Sequence, residues 1–134
     1  KELNATWVSK EQLLRESDFV SLHCPLNDST RGLMQEADFR MMKPTAIFVN
    51  TARGPVVDEA ALAEALHAGR LFAAGIDVFE REPEIHPRLL TAPRTVLWPH
   101  LGSASHDTRV RMATTATGAV AEILAGGTPA NLVT

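Results

Sequence analysis

The 134-residue sequence holds a single cysteine, Cys24, so no disulfide can close within it, and a reducing compartment, the cytoplasm, is the expected location. It has no basic block, and its formal net charge is −3. Phosphate backbones are bound by clustered Lys and Arg, so nucleic acid is not expected as a partner. No apolar run approaches the roughly 18 residues of a membrane span, so no membrane partner is expected either. The opening stretch KELNATWVSKEQ is polar and does not read as a signal peptide. No cluster of Cys, His and Asp has metal-ligand spacing, so no metal site is expected. There is also no G-x-G-x-x-G cluster, the turn with which a dinucleotide-binding sheet normally opens. Either the fold is a different α/β type or its first βαβ unit lies outside this chain.

Apolar residues make up 45% of the chain and charged residues 22%, enough for a packed core and against disorder. Ser9 and Gln12 in SKEQLL have capping-box spacing and predict a helix over about 10–16. The apolar runs around 19–24, 45–51, 71–79 and 95–99 read as buried strands. QEADFRMMK reads as a short helix ended by Pro44. Asp58 is placed to cap a helix over about 59–68 that Gly69 ends. EREPEIHPRLLTAP is loop with one helical turn. A long helix is expected over about 106–125, with apolar positions 113, 116, 120, 123 and 124, stopped by Gly126 and Gly127. Near-continuous apolar strands alternating with helices predict an α/β fold: a Rossmann-like parallel sheet with helices on both faces, missing its first βαβ unit.

Ligands of such sheets gather at the carboxyl ends of the strands, and those ends carry the polar and turn-forming residues of this chain. His23, Cys24 and Pro25 follow the first strand, and Asn50, Thr51, Ala52 and Arg53 the second. Asp77, Glu80 and Glu82 follow the third, and His100, Gly102 and Ser103 the fourth. Arg53 is the first candidate, because a guanidinium fork holds a carboxylate through two hydrogen bonds. Gly54 beside it would let the backbone approach a ligand. The plainer alternative is a surface arginine at a helix start. His100 is a candidate proton donor or acceptor, and Glu82 its candidate partner. A carboxylate bonded to an imidazole favours the protonated ring and fixes which nitrogen carries the proton. Taken singly, a strand-end histidine and a solvated acidic loop are the plainer readings. Asp77 reads either as a turn cap or as an acceptor for an amide such as a carboxamide. Cys24 reads as a small buried residue rather than a nucleophile, and His67, His86 and His106 as structural or surface residues.

Four segments in order, SDFVSLHCPLNDSTRGLM, MMKPTAIFVNTARGPVVDEAALAEAL, GRLFAAGIDVFEREP and VLWPHLGSAS, resemble the D-isomer-specific 2-hydroxyacid dehydrogenases over essentially the whole chain. Within them, LWPHLGSAS and the strand-end HCPL look most like the glyoxylate/hydroxypyruvate and 2-ketogluconate reductases. The resemblance implies a Rossmann-type domain that binds NAD(P). Residues 1–126 would form the C-terminal part of that domain, and 127–134 the start of a return to a substrate domain.

Carried over residue by residue, the resemblance implies that Arg53, Glu82 and His100 are catalytic. Cys24, Pro25, Thr51, Ala52, Arg53, Asp77, His100 and Gly102 would contact the coenzyme, and Arg53, His100 and Ser103 the substrate. The implied reaction is reduction of a small 2-oxo acid (glyoxylate, hydroxypyruvate or 2-ketogluconate) to the D-2-hydroxy acid. A homodimer is expected for the complete protein, and little activity for the 134 residues alone. A coenzyme-sensing corepressor of the same fold, or another branch such as phosphoglycerate dehydrogenase, is the alternative.

Overall fold

In the computed structural model, residues 5–132 are described. The described residues form two compact units, divided between Pro99 and His100. The first unit contains a four-stranded, all-parallel sheet in the order β1 (Phe19–Leu22), β2 (Ile47–Asn50), β3 (Ala73–Ile76) and β4 (Thr95–Leu97). Its helices are α1 (Lys10–Glu16), α2 (Glu36–Met41), α3 (Glu59–His67) and α4 (Pro87–Leu90). A 3-10 turn at Gly54–Val56 leads into α3. The second unit contains α5 (His106–Leu124).

The local signals act where the sequence places them. Ser9 caps α1 by accepting from the Gln12 N–H at 3.2 Å. Only half of the expected capping box forms there, because the Gln12 side chain donates to Glu16 instead. Asp58 caps α3 by accepting from the Ala61 N–H at 2.9 Å. Gly69 follows that helix at φ +67°, a backbone conformation that costs a residue with a Cβ.

The connections between consecutive strands carry α2, α3 and α4 to one face of the sheet, where α1 also packs. Leu14, Phe39, Leu62, Leu66 and Leu89 from these helices share a core with Val20, Leu22, Phe48, Ala74 and Ile76 from the strands. Phe39 and Phe48 meet edge to face, with centroids 5.4 Å apart.

The strands differ from expectation in two ways. They are shorter, because the paired rows end where the chain turns away. They also alternate in burial: β1 reads exposed, buried, exposed, buried. Phe19 is 70% exposed and Val96 58%, so within this unit the face opposite α1–α4 is only partly covered. In the second unit, Ser105 caps α5 by accepting from the Thr108 N–H, and Gly126 lies at φ +83° just beyond its end. No residue of α5 is buried, so its expected apolar positions are not core positions in this chain.

Candidate active site

One row of strand pairing sets the position of the candidate residues. Leu22 pairs with Asn50, Asn50 with Ile76, and Ile76 with Leu97. All four strands therefore end level, and His23, Thr51, Asp77 and Trp98 leave the sheet along one edge. This is the carboxyl edge at which open parallel sheets bind ligands.

Two clefts lie along it. One, of about 600 Å³, is lined by His23, Cys24, Pro25, Leu26, Thr51, Ala52 and Arg53. Cys24 is half-buried here rather than buried, because β1 stops at Leu22 and the thiol-bearing residue lies beyond the strand. The other, of about 160 Å³, is bordered by Val49, Thr51, Gly75, Ile76, Asp77, Val96 and Trp98. Gly75 has only Val49 Cγ2 near the place a Cβ would occupy, at 3.9 Å, so the sheet surface there is flat and open. Polar turns along the first cleft and apolar sheet under the second fit a ligand of mixed character, such as a dinucleotide.

The turn that carries Arg53 is built by Asn50, which is 1% exposed. Its Oδ1 accepts from the Ala52 N–H at 3.0 Å, its Nδ2 donates to the Arg53 carbonyl at 3.2 Å, and its own carbonyl accepts from the Asp77 N–H at 3.0 Å. One buried amide thus shapes the β2 turn and ties it to the end of β3. Arg53 is exposed, in extended backbone, and its Nη1 donates to the Ala52 carbonyl at 2.7 Å.

Gly54 serves a different purpose from the one its sequence position suggests. A Cβ on it would stand 1.9 Å from the Phe79 carbonyl carbon and oxygen and 2.5 Å from the Glu80 nitrogen. The close approach that demands glycine is to the protein's own backbone after β3, not to a ligand.

Glu82 lies on a tight turn in which Arg81 and Glu84 pair antiparallel. Its Oε1 accepts from the Phe79 N–H at 3.0 Å. Asp77 is buried at the end of β3. In the second unit, His100 is a non-glycine residue at φ +56°, an uncommon conformation at a cost, and a turn over Leu101–Ala104 carries Gly102 and Ser103. The first unit thus gathers Cys24, Pro25, Thr51, Ala52, Arg53 and Asp77 at one sheet edge, with Glu82 on the loop beyond β3. Sequence reasoning passed over Asn50 and Glu59 as functional residues. An asparagine ending the apolar run AIFV was a visible signal, whereas Glu59 looked only like a first-turn acid behind a cap.

The model of the D-isomer specific 2-hydroxyacid dehydrogenase, NAD binding domain, matches residues 1–102. The chain belongs to this family. Its coenzyme is therefore NAD(P), and the two clefts lie at the carboxyl edge of the sheet. The chain is 47% identical over 134 residues to a glyoxylate/hydroxypyruvate reductase B from Enterobacter sp. (strain 638), covering 99% of this chain and 41% of that protein. It is 49% identical over 134 residues to a glyoxylate reductase from Aeropyrum pernix, covering 99% and 40%. Among solved structures, the TT0316 protein from Thermus thermophilus superposes with a TM-score of 0.94 at 44% identity, covering 100% of this chain and 43% of that one. The chain thus spans about two fifths of the length of the relatives it matches.

Proposed function

We propose that the full-length protein reduces a small 2-oxo acid, namely glyoxylate, hydroxypyruvate or 2-ketogluconate, to the D-2-hydroxy acid with NAD(P)H. The observation that carries this reading is Arg53 on an Asn50-built turn at the carboxyl edge of the sheet, lining the larger cleft. The names of the relatives support it.

NAD(P)H, when bound, would supply the hydride that reduces the carbonyl carbon. Cys24, Pro25, Thr51 and Ala52 would line its adenine and ribose side, and Asp77 would accept from its carboxamide. Gly102 and Ser103 would border the nicotinamide and the substrate. Arg53 grips the substrate carboxylate through its planar fork and offers positive charge to the oxygen as it becomes an alkoxide. His100 gives that oxygen its proton, a step worth roughly 10²–10⁴ in rate. Glu82 accepts from the ring and fixes its orientation. The full-length protein is expected to be a cytoplasmic homodimer. Among the described residues, no helix is long and apolar enough to cross a membrane.

The test is coenzyme oxidation by the full-length protein with each of the three 2-oxo acids, using NADH and NADPH in turn. Turnover with at least one supports the proposal, and none with any of them overturns it. An Arg53→Ala variant that kept its affinity for the 2-oxo acid would refute the clamp.

A further inference from the structure

We propose that Glu59 is a positioning residue for Glu82, holding the loop that carries it against the turn that carries Arg53. This rests on the role given to Glu82 above.

Glu59 is a carboxylate buried to 6% exposure in the first turn of α3. It makes no salt bridge among those found between described residues, and it faces the loop after β3. Its Oε1 accepts from the Glu80 N–H at 2.5 Å, and its Oε2 accepts from the His86 N–H at 3.2 Å. The Glu80 side chain answers by accepting from the Glu59 N–H at 2.9 Å. That N–H is one of the donors a helix start leaves without an intrahelical partner. Residues 80 and 86 are the two stems of the loop, and Glu82 sits between them in the tight turn closed by Arg81 and Glu84.

Two further links join this loop to the rest of the site. The Phe79 N–H, one residue before the clamped stem, donates to Glu82 Oε1. The Phe79–Glu80 backbone is also the surface against which Gly54, next to Arg53, packs without room for a Cβ. A single buried carboxylate therefore grips both stems of the Glu82 loop, and the same backbone lies flush against the Arg53 turn. A charged acceptor suits the task, because each of its oxygens takes a backbone N–H from a different stem. A glutamine can accept at only one end and must turn a donor toward the other N–H.

The experiment is a double-mutant cycle in the full-length protein with Glu59→Gln, Glu82→Gln and the pair, measuring kcat and the KM for each substrate. Glu59→Gln is expected to lower kcat by about 10- to 100-fold, the scale of an ångström-level misplacement, with coenzyme KM changed by less than about twofold. In the Glu82→Gln background the same change should cost less than about twofold, because its route to the chemistry is already cut. An equal loss in both backgrounds, or no loss in either while Glu82→Gln is impaired, overturns the proposal. A Glu82→Gln variant with undiminished kcat would instead refute the role given to Glu82, and this proposal with it. Should Glu59→Gln not fold, Glu59→Asp keeps the charge but falls a methylene short of one stem. Faster amide exchange at Phe79, Glu80 and His86 at an unchanged melting temperature supports the proposal, and unchanged exchange refutes it.

Discussion

Gly54 and Phe79 touch backbone to backbone: a Cβ built on Gly54 would lie 1.9 Å from the Phe79 carbonyl. The turn after β2 and the chain after β3 are thereby locked at one separation, and neither can yield without the other. Gly54→Ala should destabilise the fold by about 1–3 kcal/mol or more, the cost of forcing atoms into a filled space. Denaturant unfolding of the variant and the parent measures this. A loss under about 0.5 kcal/mol, the range of neutral surface changes, would show that the two backbones separate freely.

Asn50→Ala should weaken both the fold and the grip on substrate. The substitution leaves the buried Ala52 N–H without its Oδ1 acceptor, while the Arg53 carbonyl loses the Nδ2 donor but keeps the Val56 N–H at 3.3 Å. Stranding one buried polar group costs about 1–3 kcal/mol. The Arg53 turn would also lose its template, so the KM for a 2-oxo acid should rise in the full-length protein. Steady-state kinetics with saturating coenzyme checks this, and an unchanged KM would separate the asparagine from the clamp.

Arg53→Lys tests geometry apart from charge. Lysine keeps the positive charge but has no planar fork, so a two-point hold on a carboxylate becomes a single contact. The expected loss in kcat/KM is roughly 10²–10³, the size seen when one stabilising donor is removed from a developing oxyanion. A lysine variant equal to the parent would mean that charge alone recruits the substrate.

Phe48→Ala should cost about 3–5 kcal/mol, because the ring is fully buried in the middle of the sheet and leaves a cavity beside Phe39. Trp7→Ala, at a residue 97% exposed, should fall within about 0.5 kcal/mol of the parent. Thermal melts of the two variants give the contrast, and a costly Trp7→Ala would reveal a contact for that indole.

Strand-and-helix alternation was legible in the sequence because three of the five described helices start with a local capping device. Ser9, Asp58 and Ser105 each accept a hydrogen bond from an N–H three residues ahead, and such bonds need no distant partner. The candidates Cys24, Pro25, Thr51, Ala52, Arg53 and Asp77 could be placed at strand ends because each apolar run stops just before them. The structure then decided matters that depend on residues far apart in the chain. Phe19 looked like core but faces away from the helices, since the side on which a β-strand residue lies is set by the register of its neighbours.

Gly54 looked like a residue that admits a ligand, and Glu59 like an ordinary acid at a helix start. Both meet the backbone around Phe79 and Glu80, more than 20 positions along the chain in sequence. Local patterns wrote the elements into the sequence, because caps, turns and apolar periodicity act over a few residues. The fit of one strand-end loop against another came only with folding, because the groups that Gly54 and Glu59 meet are backbone groups that every sequence has alike.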